Sequence, residues 1–116
     1  MKTYKTAKDV LPAGQKAVVV FTRGGKLEIN EAGSGKTGNW KVNPARLEKV
    51  DNVVIYLRKT GQTGGKILIG NYFGYEPSLE QGRLIIFFSH LKGAGSTSSN
   101  WREFSNLWQN PVAFMG

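Results

Sequence analysis

The sequence predicts an α+β protein that is mostly β: a small, strongly curved sheet or barrel with one or two short helices. Three observations carry this expectation. The chain has 116 residues, one domain's worth, and 40% of them are hydrophobic, enough for a single core. Its 15 glycines and 4 prolines, with aromatics at 11%, suit short strands joined by turns better than a helical bundle. Three successive strand candidates, residues 53–58, 66–75 and 84–90, are apolar on both faces, and glycines bend the middle one.

Taken in order, residues 1–14 are polar and basic, and are expected as a flexible arm or a short helix. Residues 15–22 read as a buried strand. Arg23-Gly24-Gly25-Lys26 supplies the positive φ angles of a tight hairpin turn, and residues 26–30 alternate and pair back. The glycine-rich stretch 31–39 reads as a flexible loop, followed by a short strand at 40–42. Asn43 is placed to cap a helix and Pro44 to occupy its first position, with Leu47 and Val50 facing inward. Residues 53–58 form a strand, 59–65 a loop, and 66–75 a second long strand in which Gly70 and Gly74 mark a bulge or bend. A turn over 76–83 leads to the strand 84–90, and the nearly apolar-free stretch 92–100 reads as another loop. Ser99 or Asn100 caps a closing helix over 101–108, where Trp101, Phe104, Leu107 and Trp108 fall at helical spacing; residues 109–114 are extended.

Sixteen Lys and Arg against eight Asp and Glu give a formal net charge of +8, the electrostatic footprint of a protein drawn to polyanions, with DNA or RNA the expected partner. Without cysteine there is neither a disulfide framework nor a thiolate metal site. No early apolar run reaches the length of a signal core or a membrane span, so a soluble, cytoplasmic protein with no membrane partner is expected.

GSGKTG, residues 33–38 with a serine between its first two glycines, resembles the end of a phosphate-binding loop. That motif needs a glycine at position 30, which is Asn30, and a long helix after the lysine, which Gly38 and Pro44 prevent. The stretch is better read as a mobile basic loop that touches phosphates without the motif. His90, the single histidine, stands beside Ser89 but lacks a carboxylate orienter and a strained nucleophile turn. One histidine and scattered carboxylates make no metal-ligand cluster. A non-enzymatic protein without cofactor or metal is therefore expected.

The run Trp40-Lys41-Val42-Asn43-Pro44-Ala45-Arg46, then Asp51, the segment Val54, Ile55, Tyr56, and a strand with Gly70 near its middle, together resemble the PUA-like superfamily and, within it, the EVE domain. The resemblance covers roughly residues 40–90, and Val50 stands where the family carries glycine before the aspartate. It implies a small curved barrel with an aromatic-walled pocket, and a nucleic-acid-binding role that includes reading a flipped or modified base. Such a base needs a flat wall and polar partners for its Watson–Crick edge. Trp40, Asn39, Asn43, Tyr72, Ser89 and Asn100 are the candidate base or ligand contacts. Lys36, Lys41, Arg46, Lys59, Lys66 and Lys92, in or beside loops, are the candidate phosphate contacts. The structural alternatives stand beside these: Trp40 as a core plug, Asn43 as a helix cap, Trp101 and Trp108 as core. Tyr72 and Phe73 point to opposite faces, so at most one of them lines a given pocket. The alternative function is a small basic protein-interaction or inhibitor protein that docks on an acidic protein surface, or a nucleotide sink.

Overall fold

The computed structural model describes residues 2–58, 61, 63–106 and 110–116. Seven strands form one mixed sheet: β1 (Ala17–Thr22), β2 (Leu27–Ile29), β3 (Gly35–Trp40), β4 (Asn52–Arg58), β5 (Gly65–Pro77), β6 (Leu84–Thr97) and β7 (Val112–Met115). Two single-turn helices, α1 (Pro44–Leu47) and α2 (Trp101–Phe104), and a 3₁₀ turn (Ala7–Asp9) complete it. The sheet order is β2-β3-β6-β5-β4-β1-β7, so the sheet is open, with β2 and β7 at its edges. The expected α+β, mostly β class holds, in its curved-sheet form.

β1 and β4 lie side by side in parallel, Ala17 opposite Asn52 through Thr22 opposite Leu57. Parallel neighbours need a crossover, and it is supplied by the β2–β3 hairpin and α1. Both strands are buried on both faces, which is why they read as continuous apolar runs without alternation. Val18, Val20, Val53 and Ile55 point to one core cluster; Ala17, Val19, Val54 and Tyr56 point to the other.

The first cluster runs the full width of the sheet. Leu27, Trp40, Phe88, Leu68, Ile55, Val20 and Val112 come from all seven strands, edge to edge, and meet in one cluster that Leu47 of α1 joins. Register shifts between Thr37 and Trp40, and in β5 at Ile67/Leu68, Ile69/Asn71 and Tyr72/Gly74, provide the bends, the last two at the glycines that the sequence marked. On the convex side, Ala7 of the 3₁₀ turn and Phe104 of α2 cover the second cluster. Tyr56 is its hub, with ring centroids 5.4 Å from Phe21, 5.8 Å from Trp101 and 5.2 Å from Phe104.

Two stretches that read as loops are strands. Residues 35–40 pair with β2 on one side and β6 on the other. At Gly35 a Cβ would lie 1.9 Å from the carbonyl oxygen of Glu28, so the glycine that looked like loop composition is what lets β3 approach β2. Residues 92–97 continue β6 opposite β5. At Gly95 a Cβ would fall 2.1 Å from the carbonyl oxygen of Lys2, because the N-terminal segment runs along this edge: the Tyr4 amide donates to the Ser96 carbonyl (2.9 Å) and the Ser96 amide to the Lys2 carbonyl (3.0 Å). Lys41 and Val42, expected to extend a short strand, lie beyond the end of β3, and the turn expected over 76–83 is confined to 78–83. The closing helix is described only as α2; Leu107 and Trp108 lie outside the described residues.

Candidate functional site

Trp40 ends β3, where the sheet bends over its own concave face. Its ring is only 8% exposed and belongs to the first core cluster, and its indole N–H donates to the Thr37 hydroxyl at 3.1 Å. A stacking wall needs an open ring face, and Trp40 is instead packed in the core, the structural alternative weighed for it. Asn39, next to it, donates its side-chain amide to the Glu80 carboxylate, and its carbonyl accepts from Arg83 Nη1 at 3.2 Å.

The other amide candidates are engaged by the backbone. Asn43 caps α1, accepting from the Ala45 amide at 2.9 Å, with Pro44 in the first helical position. Asn100 caps α2 in the same way, accepting from the Glu103 amide at 2.8 Å. Tyr72 is half-buried against the concave cluster. Burial pushes its phenol above the usual tyrosine range, and Tyr75 and Glu48 add to the shift. Among the phosphate candidates, Arg46 sits 4.1 Å from the centroid of the Phe114 ring at one end of the molecule, in a small cleft it shares with Lys16 and Lys49. Lys41 is exposed just after β3, Lys66 and Lys92 are exposed on β5 and β6, and Lys59 lies outside the described residues. Among the described candidates, Lys36, Lys66 and Arg46 line three different clefts.

Lys36 and Ser89 do come together. They line a cleft of about 440 Å³ across β2, β3, β6 and β5, with Ile29, Phe73, Phe87 and Phe88. Register explains the grouping. Glu28 stands opposite Lys36, Lys36 opposite Phe87, and Phe87 opposite Gly74, so one row crosses four strands on one face. The register shift between Tyr72 and Gly74 brings Phe73 into that row's neighbourhood. Phe73 is 73% exposed and Ile29 48%. Lys36 Nζ is 3.6 Å from the Glu28 carboxylate, an exposed pair that contributes about 0–1 kcal/mol and that a stronger anion can displace. At the rim, the Asn30 side-chain oxygen accepts from the Ala32 and Ser34 amides, at 2.9 and 3.0 Å. Ser89 Oγ is 3.3 Å from His90 Nδ1.

Phe73 and Phe87 were not among the residues picked from sequence, yet a signal existed. Strand alternation sets Phe73 against Tyr72 and Phe87 against Phe88; Tyr72 and Phe88 fill the core, so their neighbours face out. Among the described residues, no group of His, Asp or Glu is arranged to hold a metal ion, and no helix is long and apolar enough to cross a membrane. In comparisons with known proteins, no protein family, no curated protein and no solved structure matches the chain.

Proposed function

We propose that the protein binds single-stranded nucleic acid, with a base seated on Phe73 in the cleft across β2, β3, β6 and β5. The observation that carries this reading is an aromatic ring left 73% exposed beside Phe87 and Lys36, on a chain of net charge +8. A scattered exposed apolar residue is ordinary, but Phe73, Phe87 and Ile29 line one cleft. Base stacking on such a ring contributes about 1–3 kcal/mol and tolerates any base, while basic side chains hold the backbone. The Asn30 amide and the Ser89 hydroxyl at the rim are suited to the polar edge of a base, including a flipped or modified one. The likeness of residues 40–90 to PUA-like domains points the same way, with the stacking position moved from Trp40 to Phe73.

The test is fluorescence anisotropy with labelled single-stranded oligonucleotides, with and without modified bases, at about 150 mM salt. Saturable binding by the wild type is expected, and Phe73→Ala is expected to raise Kd by about 5- to 150-fold, the equivalent of about 1–3 kcal/mol. Phe73 is largely exposed, so its variant keeps the wild-type melting temperature to within about 0.5 kcal/mol of stability. Wild-type affinity in Phe73→Ala removes Phe73 from the site. Failure of every oligonucleotide to bind favours the alternative, a protein partner docked on the apolar surface of Phe73 and Ile29.

A further inference from the structure

A second cleft, of about 860 Å³, lies farther along the β5–β6 ribbon. Its chemistry is the reverse of the first. Among the described residues, Lys2 and Lys66 are its only charged lining residues, and every other is glycine, alanine, serine or threonine. No carboxylate and no aromatic ring lines it among the described residues. Lys66 stands opposite Ser96 in the β5–β6 register, and Thr3 bridges Ser96 from the other side, so lysine and hydroxyls form one row across three chain segments. The Lys66 stem lies over Gly93, where a Cβ would be 3.7 Å from Lys66 Cε. Among the described residues, neither Lys2 nor Lys66 is ion-paired; Lys2 Nζ rests 6.0 Å from the centroid of the Tyr4 ring.

We infer that this cleft holds the phosphodiester backbone of a bound nucleic-acid strand. The inference rests on the nucleic-acid reading of the Phe73 cleft. Two ammonium groups with no carboxylate among the described lining residues, surrounded by hydroxyls and bare backbone, suit phosphate and sugar oxygens, whereas no described lining residue offers a stacking surface for a base. The two clefts divide the chemistry of a nucleotide chain between them: an apolar wall for a base, a cationic hydroxyl-lined trough for the backbone. Ser89 borders the first and Gly93 the second, and four residues of one strand span at most about 13 Å.

Anisotropy titrations of a fluorescent oligodeoxythymidylate, between about 50 and 200 mM salt, test the inference. In a Lys2→Gln/Lys66→Gln double variant, the slope of log affinity against log salt is expected to fall by about 1.4, two single-strand phosphate contacts at about 0.7 each. Phe73→Ala is expected to weaken binding with its slope unchanged. Gly93→Asp sets a carboxylate beside Lys66 with ordinary van der Waals room, and is expected to lower affinity without changing the melting temperature. If the double variant and Gly93→Asp keep wild-type slope and affinity while Phe73→Ala weakens binding, the backbone cleft is overturned and the proposed function stands. If the wild type shows no saturable binding, both are overturned.

Discussion

Replacing Trp40 with alanine separates a core role from a ligand role most sharply. The ring is 8% exposed, lies in the cluster that joins all seven strands to α1, and donates to a Thr37 hydroxyl that is itself fully buried. Truncating a buried tryptophan costs about 3–5 kcal/mol through lost transfer energy and the cavity left behind. Domains of this kind have total stabilities of about 5–15 kcal/mol, so the loss is a large share. With an m-value of about 2 kcal/mol/M in urea, the unfolding midpoint should drop by about 1.5–2.5 M. Circular dichroism is the appropriate probe, because the substitution removes a fluorophore. Trp40→Phe keeps most of the ring but leaves the Thr37 hydroxyl without its donor, and should fall between the two, at a cost of about 1–3 kcal/mol. A Trp40→Ala protein with the wild-type midpoint and m-value that nonetheless loses oligonucleotide binding would refute the core assignment and restore Trp40 to the site.

Two further predictions concern local chemistry. Asn43→Ala removes the cap of α1, the helix that delivers Leu47 to the core, and should cost about 1 kcal/mol, lowering Tm by about 4 °C, with Asn43→Asp retaining most of the stability; equal Tm values for all three proteins would refute the cap. Burial pushes the Tyr56 phenol above its ordinary value, with Arg58 and the Gly64 backbone opposing, and its O–H donates to the Ser99 carbonyl at 2.6 Å. The unfolded phenol ionises near pH 10 while the folded one keeps its proton, so the unfolded state binds fewer protons above that pH and stability falls as pH rises. Below about pH 10 the contribution is fully present. Urea unfolding from pH 8 to 11 should show a shallower decline in Tyr56→Phe than in the wild type, the remainder coming from Tyr72, whose phenol is shifted in the same direction; identical declines would count against the Tyr56 contribution.

What the sequence determined by itself is the local chemistry with a local cause. The Asn43–Pro44 helix start depends only on adjacent residues and stands as expected. The runs at β1 and β4 are apolar enough to demand burial wherever they go, and Gly70 and Gly74 mark the bends of β5. Net positive charge likewise follows from composition alone. Tertiary structure decided the rest, because the deciding neighbours are far away in the chain. Gly35 and Gly95 look like loop residues until the Glu28 and Lys2 carbonyls are seen pressed against them, at which point the same glycines are the condition for two strands to pass closely. Trp40 looks like a pocket wall until the curl of the sheet closes over it. Phe73 looks like one more strand residue until β2, β3 and β6 set Ile29, Lys36 and Phe87 around it. A residue's propensity is written at its own position; whether its ring or its missing side chain meets water, backbone or core is set by segments dozens of residues away.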